Sequence, residues 1–350
     1  MDAGVIRRGA AASSGLEPSA TGRRGRWAAA ARMALRRVLF VVPVTVLVSM
    51  AVFALAAASP YDPLAGYLGD RYLTVGADQA AVLREQLGLD RPWIVWWWDW
   101  VVAAVQGDLG TSHLYGQPVT AVIGQRLPWT LLLAGTALVL AVLVSLLVGV
   151  RSAARPGGLL DRTVVPLAYV LQGIPAFVLG LGAILLFALT WSVLPAAGAT
   201  DPTAAVGVGQ VAEHLVLPAG VLALSQLPWL LLHVRQSMLD ALSADHVRTA
   251  RARGLPDAVV IRRHALPGAL LPFLSVIGVR LPELVVGATI VEVVFSWPGI
   301  AAATVSSARA MDFALLAALT TATTLLVLLG NLLADVAYTV ADPRVSADDQ

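Results

Sequence analysis

Long, uninterrupted apolar runs dominate the pattern of this 350-residue chain. Six of them reach the roughly 20 consecutive apolar residues that a helix needs to cross the hydrocarbon core of a bilayer. They predict membrane spans at 36–58, 129–150, 164–193, 215–238, 270–295 and 313–340. The pattern therefore predicts an all-α membrane protein with six transmembrane helices.

The segments between these runs divide the chain further. Residues 1–31 are rich in Arg, Ala, Gly and Ser without an apolar period, which predicts a disordered tail. Residues 32–121 hold the first span and an extracytoplasmic helical segment. Residues 122–340 hold the other spans and a loop at 239–268, and residues 341–350 form a second tail.

Two helices are predicted between the first and second spans. TVGADQAAVLREQLGLDRP, residues 74–92, has helical apolar spacing. WIVWWWDWVVAAV, residues 93–105, is dense in tryptophan, whose ring favours the headgroup level of a bilayer. We expect this second helix to lie at the outer membrane interface. The Gly-rich stretch that follows, residues 107–119, predicts turns.

Composition narrows the chemistry. The chain is 58% hydrophobic and 13% charged, its 24 basic residues are all arginine, and it has no cysteine. A nucleotide-binding loop of the Walker type needs a lysine, and Schiff-base and thiol chemistry need lysine or cysteine. These absences argue against an enzyme, the five histidines have no metal-ligand spacing, and we expect no bound cofactor or metal and no nucleic-acid partner.

The arginines predict the orientation. They concentrate in the first 37 residues, at 151–162 and at 248–263, whereas 194–213 has none. Basic residues are enriched on the cytoplasmic side of membrane proteins. Both termini and the 239–268 loop are therefore predicted in the cytoplasm of a multi-pass cell-membrane protein.

Few ionisable or strongly polar residues lie inside the predicted spans. Arg280 and Glu283 are one helical turn apart, Glu292 follows on the same span, and Asn331 and Asp335 are one turn apart on the last span. Because a lone charge at the bilayer centre is costly, we expect these groups to pair or to face the bundle interior. Prolines also interrupt most spans, which suits helices that rock during transport more than a rigid anchor.

The stretch DHVRTARARGLPDAVVIRRHALPG, residues 245–268, predicts a helical elbow. Ser243 is a candidate N-cap, Asp245 suits a first turn, and Gly254 is a typical helix stop. Pro256 suits the start of a second helix, which Pro267 is expected to end. Its apolar tip, rimmed by arginines, is typical of a docking surface and comprises Ala258, Val259, Val260 and Ile261.

This stretch resembles the EAA motif of the integral membrane permeases of binding-protein-dependent ABC importers, in their peptide/nickel branch. Arg248, Thr249 and Ala250 fill its three leading positions, Gly254 is its glycine, and Leu266 and Pro267 close it. The glutamate that leads the family motif is replaced by Arg248. GIPAFVLG, VEVVFSWPGI and NLLADVAYTVADPRV resemble later parts of the same branch, in the same order along the chain.

The resemblance implies a type I ABC importer permease fold in which the elbow is the coupling helix. It implies a sister permease, two ATPase subunits that use ATP and Mg, and an extracellular substrate-binding protein. The residues expected to couple the chain to an ATPase are Arg248, Ala250, Arg251, Gly254, Leu255, Val259, Leu266 and Pro267. It implies di- or oligopeptides as cargo.

Three other functions stay open at this point. The same branch includes permeases for nickel chelates and other small solutes. An ion-coupled secondary transporter would need ionisable groups across the membrane and an internal repeat. A membrane enzyme would need clustered His or carboxylates at one face, for which Asp201, Glu213 and His214 are the nearest candidates.

Overall fold

The computed structural model describes residues 20–60, 62–86, 90–201 and 207–341, and this part of the chain is almost wholly helical. The helices are α1 (Ala20–Ala57), α2 (Pro63–Leu68), α3 (Ala77–Gln86), α4 (Trp93–Val105), α5 (Val119–Ala154), α6 (Leu159–Gln172), α7 (Ala176–Ala183), α8 (Val208–Ser243), α9 (Asp245–Ala252), α10 (Asp257–Val259), α11 (Leu266–Val294), α12 (Ile300–Arg309) and α13 (Phe313–Ala341). A 3₁₀ turn, Gly69–Leu73, follows α2. Two short strands, β1 (Thr111–Ser112) and β2 (Gln117–Pro118), form an antiparallel hairpin.

The predicted membrane helices are present, and the third of them is broken. Five helices are long and apolar enough to span a membrane, and a sixth span forms if the bent pair Leu159–Gln172 and Ala176–Thr190 counts as one. The helix axis bends by 106° between the two halves of that pair. The break lies at Gly173–Pro175, because Pro175 has no N–H to donate and disfavours helical geometry in Ile174.

The first helix extends further toward the N-terminus than the sequence predicted. It begins at Ala20, inside the segment 1–31 predicted to be a tail. The run RWAAAARMALRR is rich in Ala, Leu and Arg, which are among the strongest helix formers, so the helix extends beyond the apolar span itself. Residues 1–19 and 342–350 of the predicted tails lie outside the described residues.

α8 is the central helix of the bundle, flanked by α5 and α11. The buried face of α5 carries small residues one turn apart: Ala137, Ala141, Ser145 and Gly149. A Cβ atom on Gly149 would stand 2.9 Å from Cγ1 of Val234, so the two backbones approach as closely as glycine allows. Such small residues permit the close helix contacts that hold membrane bundles together.

The segment before the second span packs on the first and last helices. Phe53 of α1, Trp97 of α4 and Ala317 of α13 share one buried cluster. Trp97 Nε1 donates a hydrogen bond of 3.1 Å to Ser49 Oγ. The predicted tryptophan-rich helix is therefore confirmed as α4, and its position at the membrane interface stays a prediction. The helix predicted at 74–92 is α3, and residues 87–89 of that stretch lie outside the described residues.

The hairpin β1–β2 is fixed to the start of α13. Asp312 is fully buried and accepts hydrogen bonds from Ser112 Oγ at 2.6 Å and from the Leu114 N–H at 3.1 Å. Its other oxygen accepts from the Leu315 N–H at 3.2 Å, as an N-cap does. One carboxylate thus joins the segment outside the spans to the last span.

Elbow and buried ionisable groups: the candidate functional site

The elbow consists of α9, a tight turn and the helix that starts with α10. α9 begins after Ala244, whose side chain gives no cap. Ser243 is not the predicted N-cap, because its hydroxyl donates to the Asp240 carbonyl at 2.8 Å instead. Asp245 lies in the first turn as predicted, and Arg248 stands 3.7 Å from its carboxylate.

Gly254 makes the turn, as the sequence predicted. Its φ is +77°, in the left-handed region that favours glycine. The Gly254 N–H donates to the Arg251 carbonyl at 2.9 Å, and the Leu255 N–H to the Ala250 carbonyl at 3.4 Å. These two bonds form a Schellman motif, which satisfies the last carbonyls of α9. Pro256 then sits at the N-cap position of α10.

The elbow is anchored from its inner side by small apolar residues. Val247, Ala250, Val260 and Ala265 are buried in the core cluster of the bundle. Ala250, predicted to contact an ATPase, is therefore turned toward the bundle, and so is Val260, predicted to be at the apolar tip. α9 carries its apolar residues on one face, so that face packs inward while its arginines stay outside.

The outer face of the elbow is basic with an apolar apex. Arg251 spans the turn, with its Nε atom 3.6 Å from the Asp257 carboxylate. Leu255, at the turn, is 38% exposed, and Val259 is half-buried. The exposed basic side chains around them are Arg248, Arg253, Arg262 and Arg263.

The prediction that Pro267 ends the second helix is wrong. The backbone continues through a π-helical turn, Val260–Ala265, directly into α11, and Pro267 lies in the first turn of α11. A π-turn inserts an extra residue per turn, and such local adjustments let a helix of a membrane protein continue past a proline, which has no N–H to donate. His246 Nε2 lies 3.0 Å from the His264 carbonyl oxygen and ties α9 to this turn. Leu266 is half-buried and Pro267 is exposed.

Arg280 and Glu283 form an ion pair on α11, as predicted from their spacing. The Arg280 guanidinium also lies over the indole of Trp229 on α8, 4.1 Å from the ring centroid. Arg280 is the middle residue of α11 and its side chain is 14% exposed, whereas that of Glu283 is 59% exposed. The pair thus lies near the middle of α11, and other residues of this chain do not cover the Glu283 carboxylate.

Glu292 has a different setting from the other intramembrane candidates. It is fully buried and accepts hydrogen bonds from Thr130 Oγ1 at 2.6 Å and from the N–H groups of Ala301 and Ala302 at 2.8 and 3.2 Å. Those N–H groups belong to the first turn of α12. Glu292 therefore caps α12 from a neighbouring helix, which is a structural task.

The last two intramembrane candidates lie one turn apart on α13, as predicted. Asn331 and Asp335 are both half-buried. The Asn331 Oδ1 atom is buried and accepts no hydrogen bond from the residues described. Close by, a Cβ atom on Gly278 would meet Ala334 Cβ at 2.6 Å, so α13 packs tightly against α11 here.

One buried ion pair was missed by sequence reasoning. Asp161 of α6 accepts from Arg235 of α8 through both oxygens, at 2.6 and 3.0 Å, and also from Ser152 and the Gly157 N–H. The signal was present, because Arg235 is an arginine inside a predicted span and needs a carboxylate partner. This pair fixes the loop after α5 to the elbow end of α8.

Two family profiles match the chain. Residues 145–347 match the family described as "Binding-protein-dependent transport system inner membrane component". Residues 30–134 match the corresponding N-terminal family, "Binding-prot-dependent transport system membrane comp, N-term". The two matches cover the spans, the elbow and the segment that packs on α1.

Curated relatives agree along nearly their whole length. The chain is 34% identical to the oligopeptide transport system permease protein AppB of Bacillus subtilis, over 89% of this chain and 98% of that protein. It is 38% identical to the probable D,D-dipeptide transport system permease protein DdpB of Escherichia coli, over 84% and 91%. A probable peptide ABC transporter permease of Sinorhizobium fredii is 33% identical, over 89% and 98%. The chain is thus a multi-pass membrane protein that belongs to the family of inner-membrane components of binding-protein-dependent transport systems.

Proposed function

We propose that this chain is one of two permease subunits of an ATP-driven importer for di- or oligopeptides that a binding protein delivers from outside. The family supports an importer with partner subunits, and the names of the relatives support peptides as cargo. Nickel chelates, ion-coupled transport and membrane-embedded catalysis receive no support from those relatives. The chain itself would bind no cofactor and catalyse no reaction, because separate ATPase subunits would use the ATP and Mg.

The elbow is the observation that carries this proposal. It is a rigid projection, since a Schellman turn closes it and four apolar side chains anchor it in the bundle. Its outer face offers an apolar apex, Leu255, inside a ring of arginines. A surface of this kind, apolar at the centre and charged at the rim, suits a protein partner. The partner that fits the proposed function is an ATPase subunit, contacted by Arg248, Arg251, Leu255 and Val259.

Orientation is part of the same proposal. An elbow that binds an ATPase must lie in the cytoplasm, and the arginine distribution supports that side for the elbow and for both termini. The hairpin β1–β2, α4 and α12 then lie toward the outer face. There they would receive the binding protein and its cargo.

Affinity purification of the intact complex tests the proposal. A tagged chain in mild detergent should bring down two ATPase subunits and a second permease. Gly254→Val combined with Leu255→Asp should lose the ATPases and keep the permease, because it strains the turn and puts a charge at the apolar apex. Gly157→Val is the matched control, since Gly157 also has a positive φ, +73°, but lies in the loop between α5 and α6.

Uptake of a radiolabelled tripeptide into proteoliposomes tests the cargo. The complex with its binding protein should accumulate the peptide only when ATP and Mg reach the ATPase side. A chain that purifies alone, or a complex whose peptide uptake ignores ATP, contradicts the proposal.

A further inference from the structure

The outer surfaces of two spans differ in chemistry. Between Leu131 and Leu147 of α5 the exposed side chains are aliphatic: Leu131, Leu132, Val139, Leu140, Leu143, Val144 and Leu147. In and next to this part of the helix, Thr130 and Ser145 are buried and Thr136 is half-buried. Apolar outside and polar inside is the pattern of a helix that faces lipid.

α8 shows the opposite pattern. Its apolar window is 56% buried, twice the 28% of α5, so only a narrow stripe is left uncovered by this chain. That stripe carries polar and aromatic residues about one turn apart: Trp229, His233, Gln236 and Asp240. Asp240 lies beyond the predicted span, but His233 and Gln236 lie within it, and polar groups in contact with acyl chains are costly, so this stripe faces water or another protein.

The stripe meets α11 at the deepest charges of the bundle. Trp229 is 41% exposed and stacks under the Arg280 guanidinium, and Glu283 lies one turn further along α11. Arg280 is held on two sides, by the indole and by the carboxylate. Glu283 is the most exposed of the three and leaves an anionic group accessible in the middle of a span. Arg280 pairs with one oxygen of that carboxylate, Oε2, and the exposed side of the carboxylate stays open to a second cation.

We propose that Trp229, Arg280 and Glu283 form a substrate site on the wall of the translocation pathway, where the Glu283 carboxylate binds the N-terminal ammonium of a peptide. This inference rests on the proposed function, because the ammonium is the group that peptides share whatever their side chains. Arg280 is a positioning residue, since its ion pair with Glu283 and its stacking on Trp229 fix the orientation of the carboxylate. The indole of Trp229 adds an aromatic face that favours a nearby cation.

Single cysteines test whether this face meets water, because the chain has no cysteine of its own. Val286 lies one turn from Glu283 on α11 and is 64% exposed, and Leu143 on α5 is 51% exposed. In native membranes a charged, membrane-impermeant methanethiosulfonate, supplied to both sides, should modify Val286→Cys at least about tenfold faster than Leu143→Cys, since only a hydrated thiol ionises to the reactive thiolate. Equal, slow modification of both overturns the proposal.

Protection by peptide tests the site itself. Trialanine at millimolar concentration should slow the modification of Val286→Cys, and N-acetyl-trialanine, which lacks the ammonium, should not. Adding Glu283→Gln should remove the protection, whereas Glu283→Asp should keep part of it. Equal protection by both peptides, or protection that survives Glu283→Gln, overturns the assignment of Glu283.

The two proposals fail separately. A complex that takes up no peptide with ATP contradicts the proposed function, whatever the labelling shows. A complex that does so at the wild-type rate with Glu283→Gln, and in which trialanine never protects Val286→Cys, keeps the proposed function and loses the site.

Discussion

The two ends of the continuous helix from Asp257 to Val294 differ in whether their charged groups are exposed or buried. At the elbow the charges are outside, with Arg251 and Asp257 bridging the turn in solvent, and apolar side chains hold the structure from within. At the other end the charge is inside, where Glu292 is fully buried and holds the first turn of α12. The elbow leaves its charged groups exposed to solvent, and the far end uses its charge to hold the fold together. The exposure of a charged residue near a membrane span therefore helps to distinguish a residue that can contact a partner from one that stabilises the fold.

The largest effect should come from removing the buried carboxylate. Glu292→Ala leaves the N–H groups of Ala301 and Ala302 and the Thr130 hydroxyl without their acceptor, and should lower the free energy of unfolding by about 3 kcal/mol. Thermal unfolding in detergent, followed by tryptophan fluorescence, measures this. Glu213→Ala is the control, because Glu213 is exposed on α8 and its loss should change stability by less than about 0.5 kcal/mol.

A second variant, Gly299→Ala, should disturb the Glu292 carboxylate without changing Glu292 itself. A Cβ atom on Gly299 would lie 2.1 Å from Glu292 Oε1, so Gly299→Ala must displace the carboxylate. Gly124→Ala meets nothing within 4 Å and should be neutral or stabilising in the helix α5. If Gly299→Ala is as stable as Gly124→Ala, Glu292 is not the cap of α12.

An intermediate effect is expected at the elbow turn. Gly254→Ala puts a side chain at a φ of +77°, which should cost about 1–2 kcal/mol locally without a steric clash. Gly157→Ala, at a φ of +73°, should cost as much. Proteolysis of each loop measures the local opening, and only Gly254→Ala should weaken co-purification of the ATPases. An equal loss with both variants would mean that the elbow has no special part in assembly.

Acid should loosen the segment before the second span. Burial alone would raise the pKa of Asp62, but hydrogen bonds from Arg84, the Leu64 N–H and Tyr72 outweigh it and lower that pKa below its ordinary value of 3.8. A lowered folded-state pKa contributes stability above the ordinary value that is lost as pH falls through the folded one. The protection factors of the α2 amides, which correct for the intrinsic pH dependence of hydrogen exchange, should therefore fall below about pH 4, and Asp62→Asn should have low protection factors at every pH. Wild-type protection factors that stay constant as pH falls would contradict this role.

The smallest effect on stability should come from the exposed elbow charges. Arg251→Ala breaks only a solvent-exposed pair and should change the free energy of unfolding by less than about 0.5 kcal/mol. It should nevertheless weaken ATPase binding in the purification assay. Arg309→Ala, on α12, is the control and should change neither measurement. If Arg251→Ala lowers the free energy of unfolding but still co-purifies with the ATPases, Arg251 stabilises the fold and does not bind a partner.

Local signals made the elbow predictable from sequence, and distant contacts made the rest less so. Gly254 and Pro256 specify a turn through their own backbone preferences, so the turn appeared where expected. The helix did not end at Pro267 as predicted, because the π-turn before Pro267 depends on packing with α9. Glu292 was identified as an intramembrane acid, but its task requires knowing that the chain turns back at Ser296, with φ +50°, and brings α12 beside it.

The uninterrupted backbone from Asp257 to Val294 makes a single rod of 38 residues, about 57 Å long at 1.5 Å per residue. One tip of the rod lies at the elbow, and near the other is Glu292 with α12 attached. Because the helix is continuous through Pro267, Pro272 and Pro282, a tilt of its elbow end would be carried to the far face and would displace α12. Glu283 lies 26 residues from the elbow tip and 11 from the far tip, so it would be displaced together with the far part of the helix.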